Sequence, residues 1–217
     1  MQRWIVAGVM ALLAVVATWR YPLFRVVRVE PGAMPGGAAP FDAAAAAQRL
    51  WNEEIVPALA TAPEASEVIG LLTSDPDAGR RQFGRTVGLS RSTHFLIRGA
   101  GTIVRVERTR LGVLLGSAGP TPASEDVEPD LWLATGPIFG NAVRDSTGLT
   151  RGEDFINSQH FNGLAGALNL LVEAAVLPAL RQVDQTGQSI RFAACMELPG
   201  GKAAVPLRCI PLQALID

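Results

Sequence analysis

Apolar and polar positions alternate in three distinct regimes along the chain. The first is an uncharged, 16-residue run from Trp4 to Trp19, with Arg3 before it and Arg20 after it. A full membrane span needs about 20 apolar residues, so this run spans only if Arg20 snorkels and Tyr21 to Phe24 continue into the interface. Trp4 at one end, with Trp19 and Tyr21 at the other, resembles an aromatic belt. We expect residues 1–24 to form a single N-terminal membrane anchor. A cleaved signal peptide is the competing reading: Val15 and Ala17 suit a peptidase, but the bulky Trp19 and Arg20 follow at once and no polar region intervenes. Residues 25–40 are expected to be a linker, because Val29 to Pro40 holds three Pro and three Gly.

The second regime is helical. Asp42 is placed to cap a helix through the alanine run, with Leu50, Trp51, Ile55 and Leu59 on one side and Pro57 bending or ending it. A second helix is expected from Glu64 to Leu72. Asp75-Pro76 then reads as cap and first residue of a third, ending at Gly84.

From Thr93 the period changes to that of strands. Phe95 to Ile97 leads through Gly99-Ala100-Gly101, read as a strand bend, into Thr102 to Arg108. Gly112 opens a second strand, and Leu131 to Thr135 forms a third. Asp154 to Leu180 reads as one long helix. Strands Ser189 to Glu197 and Val205 to Leu212 close the chain. Residues 41–217 are therefore expected to be one α+β domain: an OB-like five-stranded Greek-key β-barrel with N-terminal helices and one long helix between strands 3 and 4. A generic α+β sandwich has the same census of elements.

Composition sharpens the picture mainly through charge. The 217 residues carry 19 basic and 20 acidic groups, and 48% are hydrophobic. Disorder and a disulfide-dense scaffold are both excluded, the latter because Cys195 and Cys209 are the only cysteines. The near-neutral total hides an asymmetry: residues 1–40 balance to +3 and the remainder to −4. Positive charge belongs to the membrane end, so nucleic acid is not expected as a partner. Arginine counting alone would place the domain in the cytoplasm, whereas short N-terminal tails usually stay inside, so the residues leave orientation open.

Catalytic and metal motifs are missing. His94 and His160 stand in no metal-ligand spacing, and there is no nucleophile elbow, phosphate loop or dinucleotide fingerprint. Neither metal nor cofactor is expected. A hydrolase would have to rest on His94 with Ser92 or Asp145. Cys195 and Cys209 lie on the two terminal strands and are a candidate disulfide, or else two small buried hydrophobes. The densest polar stretch runs from Thr135 to Gly148 and on to Gln159. Arg144, Asp145, Asn157 and, further on, Asn169 form a candidate polar cluster. It would either bind an anion or polar ligand or tie an irregular loop to the barrel.

The stretches G-P-I-F-G-N-A-V-R-D at 136–145, D-F-I-N at 154–157 and A-L-N at 167–169 resemble the signature of the domain of unknown function 2291 family. F-L-I-R-G-A-G-T-I-V at 95–104 and W-N-E-E-I-V-P-A-L at 51–59 fit the same pattern. The resemblance covers roughly residues 41–197. It implies an OB-like fold in the periplasm and a gene neighbourhood with sugar-type ABC uptake systems, with no established activity. A nucleic-acid-binding label has been suggested for the family on fold analogy. Two departures stand out. The usual lipobox cysteine is absent, so the apolar run takes over the anchoring. The pattern also places Gln directly after the Asn, where this chain has Ser158 and then Gln159.

Two functional classes follow. The first is a non-catalytic, membrane-anchored periplasmic accessory protein associated with a sugar-type ABC uptake system, whose transporter components would be its partners. The second is an OB-fold module binding an oligosaccharide or, less favoured, single-stranded nucleic acid, although the strands offer few aromatics for stacking (Phe95, Trp132 and Phe192). Exposure of Arg144, Asp145, Asn157 and Asn169 in one cleft would favour binding, and burial with mutual pairing would make them scaffold.

Overall fold

The computed structural model describes residues 41–87, 92–116, 127–200 and 206–216. The expected anchor and linker lie outside them. No helix among the described residues is long and apolar enough to cross a membrane. Residues Asp42–Asp217 form one compact unit.

Helix α1 (Ala43–Leu50) begins where Asp42 accepts a hydrogen bond from the Ala45 amide at 3.0 Å. The helical path does not end at Pro57. A π-helical turn, Trp51–Ile55, widens the coil just before it, and α2 (Val56–Ala60) continues. The Val56 amide reaches back five residues to the Trp51 carbonyl. Pro57 has no amide to donate and its ring crowds the preceding turn, so one widened turn accommodates what a regular turn would reject. Helices α3 (Ala65–Ser74) and α4 (Pro76–Phe83) follow, with Asp75 capping Ala78 as its spacing predicts.

Five strands close a barrel in the order β1-β2-β3-β5-β4. These are β1 (Thr93–Glu107), β2 (Arg110–Leu115), β3 (Leu131–Ala134), β4 (Ser189–Leu198) and β5 (Leu207–Ile216). All pairings are antiparallel except β3 with β5, and this is the OB order. Strand β1 is one continuous element rather than two pieces bent at Gly99-Ala100-Gly101. Its first part pairs with β4 and its second with β2, and Gly101 and Thr102 pair with both. At Gly101 the β2 backbone comes so close that a Cβ would stand 2.2 Å from the Leu114 carbonyl oxygen. Glycine is needed there for close approach; the register break falls later, between Ile103 and Arg105.

Between β3 and β4 run α5 (Ala142–Asp145), a 3₁₀ turn (Gly152–Asp154), α6 (Ser158–Ala175) and α7 (Leu177–Leu180). The single helix expected over 154–180 is thus divided. Asn157 caps α6 through a bond from the His160 amide at 2.9 Å, so the helix starts after it. Pro178 sits inside the short α7 instead of marking an exit. Strand β5 extends to Ile216, beyond the expected end at Leu212, because β4 pairs with it as far as Ile190↔Ile216. Phe95, Ile97, Ile103, Leu111, Val113, Leu131, Leu133 and Ile190 are fully buried in the core, and α1 packs on α6.

Candidate functional site

The four residues of the polar stretch part company. Arg144 and Asp145 meet in a bidentate pair, with Nε donating to Oδ1 at 2.6 Å and Nη2 to Oδ2 at 3.1 Å. Arg144 is 3% and Asp145 5% exposed, so the pair is shut away from solvent. The remaining donor, Nη1, bonds the Phe161 carbonyl at 2.9 Å, and the guanidinium carbon lies 3.4 Å from the centre of the Phe161 ring. The cation thus engages a carboxylate, a carbonyl and a π-system. One short helix, α5, presents both charges, and α6 supplies the carbonyl and the ring.

His94 joins them from β1. Its Nε2 stands 3.7 Å from Asp145 Oδ2, and the residue is 3% exposed. Sequence reasoning placed this histidine on a strand and paired it with Asp145 only in the hydrolase reading. A His–carboxylate pair is part of a hydrolytic triad. The rest of that constellation is missing among the described residues. His94 Nδ1 has no hydrogen-bond partner, so no hydroxyl is positioned on it. Ser146 is fully buried and its hydroxyl bonds the Val143 carbonyl at 3.4 Å. What the arrangement does is clamp: Arg144, Asp145 and His94 join β1, α5 and α6 through charge-assisted contacts.

Asn157 and Asn169 serve elsewhere. Asn157 is exposed and caps α6. Asn169 is buried, and its amide donates to the Gly140 carbonyl at 3.0 Å, holding the 138–141 loop on α6. Nearby, the Ile138 amide donates to Glu173 at 2.7 Å. Sequence proximity grouped these residues, but a helix of this length separates its ends by too much for them to meet.

The candidate disulfide is not formed: Cys195 and Cys209 are both free and buried thiols. Cys195 is paired in register with Ile210, which sets Cys209 one position off, and neighbouring residues on a strand point to opposite faces. Burial pushes the Cys195 thiol up to about 12, against a smaller opposing effect of a hydrogen bond with Ser146. Burial pushes Cys209 up as well, reinforced by Cys195.

On the barrel wall, Trp132 of β3, 6% exposed, stands between Gly112 of β2 and Arg208 of β5, while Phe95 and Phe192 are buried in the core. Arg110 covers the indole with its guanidinium carbon 4.0 Å from the ring centre, while donating to Glu107 at 2.6 and 3.1 Å. That bonded guanidinium holds the Glu107 carboxyl below its usual range. Glu107, Arg110, Trp132 and Arg208 line a cavity of about 410 Å³. No group of three or more metal-ligating side chains occurs among the described residues.

A family model described as "Predicted periplasmic lipoprotein (DUF2291)" matches residues 13–214. The chain belongs to DUF2291. The chain is also similar to a solved structure, the crystal structure of an OB-fold protein from Thermotoga maritima. It is 28% identical, covers 82% of this chain and 99% of its own length, and superposes with a TM-score of 0.69. No curated protein is significantly similar to the chain. The DUF2291 description places family members in the periplasm at a membrane, although no cysteine precedes Cys195 here.

Proposed function

We propose that this protein is a non-catalytic, membrane-anchored periplasmic accessory protein that assists a sugar-type ABC uptake system by contact. The observation that carries this reading is the burial and mutual pairing of Arg144 and Asp145, with His94 beside them. The most chemistry-rich residues of the chain are used up in holding it together, which leaves recognition as the work of the surface. Membership in DUF2291 supports the compartment, and the gene neighbourhood that the sequence resemblance implies supports the uptake partner. The uncharged run from Trp4 to Trp19 supplies the anchor. Affinity capture of the full-length protein from solubilised membranes tests this. Recovery of permease or binding-protein components is the expected result. Recovery of neither, together with unchanged sugar uptake in a deletion strain, overturns the reading.

The Trp132 cavity favours a second reading, an OB module for an oligosaccharide. Strands 2 and 3 form the face that OB folds use for such ligands, and an indole suits the apolar face of a sugar ring. Arg110 would have to swing off the indole for the sugar to stack. Single-stranded nucleic acid is disfavoured by the −4 balance of residues 41–217. An oligosaccharide panel should raise the melting temperature of the wild type and not of Trp132→Ala. Equal shifts for both proteins, or none for either, count against this reading.

A further inference from the structure

A larger concavity, about 750 Å³, lies between the segment leaving α4 and the turn after α5. Its size is within the range of small-molecule sites. Both walls are fixed to the buried clamp. Arg85 exchanges two backbone hydrogen bonds with His94, each 2.8 Å, and the Gly148 amide donates to the Asp145 carbonyl at 3.2 Å. Further along the second wall, Asp154 accepts from the Arg151 amide at 2.8 Å. Both walls are thus tied by backbone hydrogen bonds to residues of the clamp.

Its lining mixes apolar and polar surface, and part of the polar lining lacks partners. Gly148 has a φ of +66°, and the Arg85 side chain lies across it: a Cβ there would be 2.9 Å from Arg85 Cδ and 3.4 Å from Nη1. Glycine is what lets this side chain rest against the wall. The Arg85 guanidinium has no ion pair among the described residues, since the carboxylate in the lining, Glu153, is taken by Arg151 at 3.4 Å. Two guanidiniums, Arg85 and Arg151, and one carboxylate, Glu153, line the cavity, with Asp154 following on the same wall. Thr150, 8% exposed, also lines the cavity, and its buried hydroxyl has no hydrogen-bond partner. Buried polar atoms without partners are uncommon and call for an explanation.

We infer that this cavity binds a small hydroxylated anion, with a carboxylate or phosphate on Arg85 and a hydroxyl or oxygen of the ligand on Thr150 Oγ1. A guanidinium presents the fork that such oxyanions accept. At Gly152 the wall is bare backbone, which lets a polar ligand approach. The site shares no lining residue with the Trp132 cavity, and small-ligand binding is measured independently of membrane capture.

Isothermal titration of the full-length protein with glucuronate, glucose 6-phosphate and glucose tests the inference. Binding of either anion, without binding of glucose, is the expected result, and which anion binds assigns carboxylate or phosphate. Arg85→Gln should weaken that binding about tenfold or more, and Thr150→Val several-fold, with unfolding midpoints of both variants unchanged. Glucose binding as well as the anions overturns the inference. So does the absence of binding by all three, or undiminished binding by Arg85→Gln.

Discussion

At the scale of single residues, identity decided chemistry less than burial did. Cys195 and Cys209 are the clearest case. Spacing across the last turn suggests a staple, but register is set by the hydrogen-bonded ladder, and the Ala193/Ala194 irregularity puts Ile210 opposite Cys195. Such a shift has no mark in the sequence. Both thiols should therefore resist alkylation in the native protein from about pH 7 to 9, where an ordinary thiol near 8.5 becomes mostly thiolate. Because their values are raised on folding, the thiols contribute stability that falls as pH rises past the unfolded value of about 8.5. Mass spectrometry after native and denaturing alkylation checks this. Two adducts only under denaturing conditions are expected, and rapid native labelling would argue against buried thiols. His94 shows the converse. A lone histidine on a strand gives no sign that a carboxylate from the distant α5 will face it.

At the scale of elements, caps and turns were legible because their rules are local. Asp42, Asp75 and the Pro76 start all behave as their side chains require. Asn157 was read as part of a polar cluster when its actual role is the same kind of cap. The signal was present: an Asn followed by a run with helical periodicity is a capping pattern. Replacing Asn157 with Ala should cost about 1 kcal/mol of unfolding free energy, and with Gly only a few tenths. Equal costs for the two in urea titrations would deny the cap its role. The π-helical turn at Trp51–Ile55 and the divided 152–180 region were not legible in the same way. Pro57 announces a disturbance without saying whether the chain widens or breaks.

At the scale of the whole molecule, the order of elements carried the fold. Three strands, a helical segment and two strands pointed to the OB barrel without excluding an α+β sandwich, and the closed pairing order decides between them. The long coiled β1 was harder to foresee, because its two halves serve different neighbours and only Gly101 hints at the handover. The ionic clamp is also a whole-molecule feature: it joins β1, α5 and α6, and its members come from three regions of the chain. Its role as scaffold is the central claim, and urea unfolding of three variants tests it directly. Arg144→Met and Asp145→Leu should each lose about 3–5 kcal/mol by stranding a buried charge, whereas the double variant should return to within about 1–2 kcal/mol of wild type. Single variants as stable as the wild type would contradict the account, because charges that cost nothing to strand are not holding the molecule together.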